Sequence, residues 1–124
     1  MKADAMTEIG RYINLPDATE RFLKNDSMFK KFLFRFPAEN DFDELFRLLE
    51  EEKWEEAFPV AHTMKGVASN LALQFMYGAI CPVSDMLKKG VKPEAEAVES
   101  LKQAYEETLL VIARVKEAGM TLLG

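Results

Sequence analysis

The only histidine of the 124-residue chain, His62, lies in a segment whose residue types and spacing suit group-transfer chemistry. Within the stretch AHTMKGVASNLAL (61–73), Lys65 follows the histidine by three positions and Gly66 follows it by four. Residues three and four positions apart are neighbours on one face of an α-helix. A neutral imidazole is a nucleophile that can hold a phosphoryl group on a ring nitrogen. The spacing therefore predicts a nucleophilic histidine with an ammonium group and an open space one helical turn away.

The residues around His62 predict which side of this helix is buried. At about 100° per residue, one arc of about 120° has the width of a core-facing stripe. The small and apolar residues in that arc are Ala57, Val60, Ala61, Met64, Val67, Ala68 and Leu71. The residues on the other side include His62, Lys65, Gly66, Ser69 and Asn70. We therefore expect His62 to face solvent, and a lone surface histidine without any role is the alternative.

Gly66 and Lys65 favour a histidine with a chemical role over a surface histidine without one. A glycine in a helix interior costs about 1 kcal/mol relative to alanine, so Gly66 needs a reason. A phosphoryl donor on another protein must reach the imidazole of His62, and a side chain at the next turn would obstruct it. The ammonium group of Lys65 can attract phosphate oxygens and offset the arriving negative charge. The alternative for Lys65 is an ordinary solvated lysine.

The elements that must position these residues are all predicted to be helical, because no segment shows the sustained alternation of a strand. The segments with helical periodicity are 27–36, a segment that opens at Asp41, 54–71, 73–89 and a last segment that opens near Pro93 and ends at Gly119. The short connections between them predict an all-α fold with an antiparallel four-helix bundle over residues 27–118. Short additional helices in residues 1–25 are expected to cover one end of the bundle. We expect one domain over residues 1–124.

Individual residues predict several details of these helices. Ser27 is a candidate N-cap for the first core helix, and Pro37 is expected to stop or kink it. The stripe expected to be buried there comprises Phe29, Phe32, Leu33 and Phe36. Asp41 and Glu44 have the spacing of a capping box. In the next helix the residues expected to be buried are Phe42, Leu45, Leu48 and Leu49.

Two prolines, Pro59 and Pro82, fall inside predicted helices. A proline in a helix interior removes one backbone hydrogen bond and costs about 3 kcal/mol. We therefore expect a kink at each of them.

Composition excludes several classes of function. A net charge of -5 argues against a partner that is a nucleic acid or an anionic membrane, because such partners need clustered Lys and Arg. No apolar run approaches the roughly 20 residues that span a bilayer, and the first residues do not form a signal peptide, so a cytoplasmic location is expected. The single Cys81 cannot form an internal disulfide, and one Cys with one His cannot build a zinc site, so neither a metal nor another cofactor is expected.

The stretch AHTMKGVASNLAL resembles the signature of histidine-containing phosphotransfer (HPt) domains, in which Lys and Gly follow the phosphoaccepting histidine at +3 and +4. The resemblance extends through FKKFLFRFP, EEKWEEAF and FMYGAICPVSDMLKKG, and covers roughly residues 17–118. It implies that His62 is the phosphoacceptor, that Lys65 neighbours the phosphoryl group, and that Gly66 lets a partner approach closely. Ser69 and Asn70 are then part of the partner-binding face.

The resemblance also implies the partners. They are the receiver domain of a response regulator, a hybrid sensor kinase, or both, and the magnesium ion that assists transfer is expected on the receiver. The chain has six glycines and no glycine-rich ATP-binding loop, so we expect a monomeric phosphoryl carrier without kinase activity of its own. Many members of the family have glycine where this chain has Ser69 and Ala72, and these two residues can alter the docking surface and the turn that follows.

Two alternatives to phosphotransfer stay open. The first is an HPt-shaped protein-interaction module that carries no phosphate. The second is an enzyme that uses His62 as a general base, a role that usually needs a pocket and an orienting carboxylate.

Overall fold

A computed structural model describes the backbone of residues 2–124 and the side chains of residues 5–124. Over this part of the chain the fold is all-helical, with seven α-helices and no strand. The helices are α1 (Lys2–Tyr12), α2 (Leu15–Arg21), α3 (Asp26–Arg35), α4 (Phe42–Glu50), α5 (Trp54–Asn70), α6 (Gln74–Lys88) and α7 (Ala95–Ala118). The predicted all-α class is confirmed. None of the helices described is long and apolar enough to cross a membrane.

The helix that carries His62, α5, packs against α4 on one side and α6 on the other. Helix α6 also packs against α7 and α1, and α3 packs against α7. The short link between α5 and α6 contains Ala72, whose φ of 56° lies in the left-handed region that favours glycine. The amide of Asn14, between α1 and α2, donates to the carbonyl oxygen of Ala72 at 2.8 Å. The end of α5 is therefore tied to the N-terminal helices.

The buried stripes agree well with the helical periodicity of the sequence. On α4 all four predicted residues, Phe42, Leu45, Leu48 and Leu49, are buried. On α5 the fully buried members of the predicted arc are Ala57, Ala61, Met64, Ala68 and Leu71, while Val60 and Val67 are half-buried. Helix α7 buries Leu101, Tyr105, Thr108, Ile112 and Val115, and Gly119 ends it with a φ of 62°. The core face of α5 is thus the side opposite His62.

Helix α3 differs from its prediction in two respects. The N-cap is Asn25, whose side-chain oxygen accepts a hydrogen bond from the backbone N–H of Met28 at 3.0 Å, so the expectation that Ser27 caps the helix was wrong. Phe32 was expected to be buried and is 43% exposed. Its position lies at the margin of the stripe, where its ring contacts Phe22, the residue that follows α2, instead of entering the core. The helix ends at Arg35, before Pro37, as expected.

The capping box predicted for α4 was also wrong. Asp41 is the N-cap residue, but its side chain makes no capping hydrogen bond. The side-chain oxygen of Asn40 accepts from the backbone N–H of Phe42 at 2.8 Å instead. The carboxylate of Glu44 pairs with Arg47 at 2.7 Å, because a guanidinium one turn away is a stronger partner than a backbone N–H.

The two prolines do not interrupt their helices. Helix α5 runs through Pro59 and α6 runs through Pro82 as continuous elements. Neither proline ends its helix, and the predicted kinks stay predictions.

Asp26, at the start of α3, binds the C-terminal residues to the helical core. Its Oδ1 atom accepts hydrogen bonds from the backbone N–H groups of Leu122 at 2.8 Å and Leu123 at 2.9 Å. Its Oδ2 atom pairs with the Nζ atom of Lys30 at 2.9 Å. The side chains of Leu122 and Leu123 are buried. One carboxylate therefore holds the end of the chain in place.

We expect this contact to make stability sensitive to acid. Burial raises the pKa of Asp26, but the hydrogen bonds from Leu123, Lys30 and Leu122 together lower it by more. The pKa is therefore below its ordinary value. A carboxyl group of this kind contributes stability above its unfolded pKa and loses it as pH falls through the folded pKa. Asp26→Asn should reduce the free energy of unfolding by about 1 to 3 kcal/mol at neutral pH.

Denaturant unfolding at neutral pH and below about pH 4, the range in which an aspartate titrates, would measure this effect. The difference between wild type and Asp26→Asn should shrink in acid. Glu8→Gln is a suitable control, because Glu8 is half-exposed and pairs with Arg114 at the surface. Equal losses for the two variants would contradict a special role for Asp26.

Candidate functional site

His62 lies on α5 and faces solvent, as its position on the helix predicts. Its ring contacts that of Phe58, one turn earlier, with 5.9 Å between the ring centroids. Within residues 5–124, no side chain makes a hydrogen bond or an ion pair with the imidazole. The imidazole is therefore accessible to a second molecule, and no described carboxylate orients it in the way that a general base usually requires.

Lys65 lies one turn after His62 and is half-buried. Among residues 5–124 its ammonium group has no ion-pair partner, whereas several other lysines are paired with carboxylates. The charge of Lys65 is thus not neutralised by a described neighbour. It remains available to a negatively charged group that approaches the same face of α5.

Gly66 is exposed and the space beside it is open. A Cβ atom added at Gly66 would meet no atom within 4 Å, apart from its own chain neighbours and the helix backbone. No contact inside the molecule therefore requires a glycine at this position. The helix penalty of glycine, about 1 kcal/mol, is not offset by any internal packing. The open space beside Gly66 leaves room for a molecule that approaches α5 from outside.

Ser69 is half-buried and Asn70 is exposed, and each meets a different neighbouring helix. The Oγ atom of Ser69 lies 3.5 Å from the Nη2 atom of Arg21, at the end of α2. The Nε atom of Arg21 pairs with Asp17 Oδ2 at 2.8 Å. Asn70 borders a groove between α3 and α5. The sequence placed Ser69 and Asn70 on one face, and the structure adds α2 and α3 beside that face.

The groove between α3 and α5 has a volume of about 340 Å³ and is open to solvent. Its lining consists of Phe32, Arg35, Phe36, Glu39, Val67, Asn70 and Leu71. The exposed ring of Phe32 lies on the α3 side, with the guanidinium of Arg35 at 5.8 Å from the ring centroid. Apolar surface therefore continues from α3 towards the face that carries His62.

Sequence reasoning missed three residues of this surface: Arg21, Phe32 and Arg35. Arg21 and Arg35 stand in the last turns of short helices, where basic residues are common for local reasons. Phe32 was assigned to the core. Their proximity to α5 depends on how the helices pack, which no spacing within one segment reveals.

The chain matches no known protein-family model, no curated protein and no solved structure. Its resemblance to HPt domains therefore depends on the residues of the sequence alone.

Proposed function

We propose that the protein is a histidine phosphotransfer protein of a two-component phosphorelay. It accepts and donates a phosphoryl group between His62 and the aspartate of response-regulator receiver domains. The observation that supports this most is the arrangement on α5: an exposed imidazole, an ammonium group one turn away at Lys65, and open space beside Gly66.

In the forward reaction the lone pair of an imidazole nitrogen of His62 attacks the phosphorus atom of the receiver's phosphoaspartate. The bond between phosphorus and the aspartyl oxygen breaks as the bond between phosphorus and nitrogen forms, and the aspartate leaves as a carboxylate. Lys65 offsets part of the charge that arrives with the phosphoryl oxygens. The receiver brings the magnesium ion, and the protein acts as the phosphoryl-carrying substrate rather than as an enzyme with its own kinase activity.

We also infer that the core is an antiparallel four-helix bundle. The sequential packing of α4, α5, α6 and α7, together with the contact between α3 and α7, supports this arrangement. In such a bundle α3 and α4 together occupy one corner, with the break at Pro37 between them. The proposed carrier acts in the cytoplasm as a monomer, and its partners are receiver domains or hybrid sensor kinases.

Incubation with a panel of phosphorylated receiver domains tests the proposed function. Transfer of an acid-labile phosphoryl group to the protein, with loss from a receiver, would support it. Stable binding of receivers without any transfer would support the interaction module instead. A protein that neither binds nor accepts phosphate from any receiver would contradict both.

Lys65→Ala should slow transfer while the fold stays intact. Loss of the only ammonium group one turn from His62 removes a charge that stabilises the transferring group, and we expect a fall of about tenfold in rate, or ~1.4 kcal/mol. The stability change should stay within about 0.5 kcal/mol, as for other surface substitutions. Rapid-quench measurements at saturating receiver give the rate.

Lys102→Ala is the matched control for this experiment. Lys102 is also a half-buried lysine in the interior of a helix, but it lies on α7 with its Nζ atom 5.8 Å from the ring centroid of Phe46. Its removal should leave transfer unchanged. If Lys65→Ala transferred as fast as Lys102→Ala, Lys65 would be an ordinary solvated residue.

A further inference from the structure

The surface around α5 changes sign along the helix. Its first turn carries the exposed carboxylates of Glu55 and Glu56. Its last turn contains no basic residue of its own. The cations near that end include Lys65 from the middle of α5, Arg21 from α2, which pairs with Asp17, and Arg35 from α3, which shares its groove with Glu39. The carboxylates thus belong to α5 itself, whereas the two arginines belong to neighbouring helices.

Arg21 is held in a defined position at the basic end. Its Nε atom pairs with Asp17 Oδ2 at 2.8 Å, and its Nη2 atom lies 3.5 Å from Ser69 Oγ. Helix α2 is itself fixed, because the side chain of Asn14 accepts from the N–H of Asp17 at 3.1 Å while the N–H of Asn14 donates to Ala72. The side chain of Arg21 remains 40% exposed, so its guanidinium can still reach a partner.

Arg35 lies in the wall of the groove between α3 and α5, next to the exposed ring of Phe32. At about 100° per residue, Ser69 and Asn70 fall on opposite sides of Gly66 on the helix wheel. Arg21 contacts Ser69, whereas Arg35 shares the groove with Asn70. The two guanidinium groups are thus associated with different sides of the line from His62 to Gly66.

Each arginine is associated with a residue near the end of α5: Arg21 with Ser69 and Arg35 with Asn70. Ser69 follows His62 by seven residues, which is about 10 Å along a helix with a rise of roughly 1.5 Å per residue. This distance is comparable with the Debye length of about 8 Å in physiological salt. Arg21 and Arg35 therefore suit contacts with the partner's surface around the transferring group.

We propose that Arg21 and Arg35 dock and orient the receiver domain, an inference that rests on the proposed function. A receiver that holds magnesium beside its phosphoaspartate needs carboxylate oxygens for the metal, so the rim of its phosphorylation site is acidic. That rim faces the side of α5 that is flanked by Arg21 and Arg35, while Phe32 provides the apolar contact beside it. The acidic first turn of α5 disfavours the reversed orientation by repulsion.

The test measures transfer from a phosphorylated receiver as a function of receiver concentration. Arg21→Ala and Arg35→Ala should each raise the half-saturating concentration by about tenfold, with a smaller effect on the maximal rate, because rim charges act mainly on association. The difference from wild type should shrink when the salt concentration rises from about 50 to 200 mM. Arg21→Lys and Arg35→Lys keep the charge and should recover part of the loss.

Arg114→Ala is the matched control, because Arg114 is a 64% exposed arginine that pairs with Glu8 on a surface formed by α1 and α7. It should leave both kinetic parameters unchanged, and thermal melts would show that all variants are folded. If the wild type accepts phosphate from receivers and both arginine variants behave like Arg114→Ala, the docking proposal is wrong and the proposed function stands. If the wild type accepts no phosphate from any receiver, the proposed function fails and the docking proposal fails with it.

Discussion

His62→Gln should abolish phosphoryl labelling of the protein, both by a phosphorylated receiver and by a small donor such as phosphoramidate. His62 is the only histidine in the chain, so a phosphohistidine has a single possible position. Glutamine keeps a polar side chain of similar length but offers no nucleophilic ring nitrogen. We therefore expect complete loss of acid-labile label rather than a partial decrease.

The same substitution should leave the fold nearly unchanged. His62 is exposed and packs only against the ring of Phe58 among the described aromatic contacts, so the free energy of unfolding should change by no more than about 0.5 kcal/mol. Thermal melts and far-UV circular dichroism would check this. Thr63→Gln is a matched control on the adjacent exposed position of α5 and should retain its label. Acid-labile label retained in His62→Gln would refute the assignment.

The face of α5 was predictable because helix periodicity is a local property. Seven residues between Ala57 and Leu71 placed the core on one side, and the structure buries or half-buries every one of them. His62 had to lie on the other side. The same reasoning held for the four buried residues predicted on α4.

The capping interactions and the burial of single side chains were less predictable, since several local interactions compete at helix ends. Asn25 and Ser27 are both good N-cap residues, and the choice depends on where the preceding turn leaves the backbone. Glu44 had the correct spacing for a capping box, but Arg47 offers its carboxylate a charged partner. Phe32 had helical spacing for the core, yet α3 turns Phe29 and Leu33 inward and leaves Phe32 at the margin.

The residues that neighbouring helices bring to the face of His62 could not be predicted from the sequence, because they depend on how the helices pack. The contact between Arg21 and Ser69 joins residues that are 48 positions apart. The hydrogen bond from Asn14 to Ala72, in the turn after α5, also joins residues that are far apart in the sequence. No periodicity within α2 or α5 contains that information, so only the structure reveals that α2 and α3 supply cations to the end of α5.

Gly66→Leu should separate stability from phosphotransfer. Since an added Cβ meets no atom within 4 Å, an alanine side chain fits without an internal clash. Replacing a helix glycine by alanine or leucine should therefore stabilise the domain by up to about 1 kcal/mol. The extra atoms would nevertheless occupy the space beside the imidazole of His62 that the incoming phosphoaspartate must enter.

Transfer from a receiver should fall by about a hundredfold in Gly66→Leu, because a displacement of about 1 Å from the reactive geometry can cost that much. Gly66→Ala should show a smaller loss. Phosphoramidate needs less room than a receiver domain, so its reaction with either variant should be affected less. The ratio of the two rates, receiver over phosphoramidate, is the quantity that reports on docking.

Gly78→Leu gives the control for this comparison, because Gly78 is also an exposed helix glycine with no atom within 4 Å of an added Cβ, but it lies on α6. Gly78→Leu should stabilise the protein in a similar way and leave transfer from the receiver intact. The two variants then share a gain in helix propensity and place the new side chain on different helices. If Gly66→Leu and wild type accept phosphate from the receiver at equal rates, close approach over Gly66 is not part of docking, whatever the melting temperatures show.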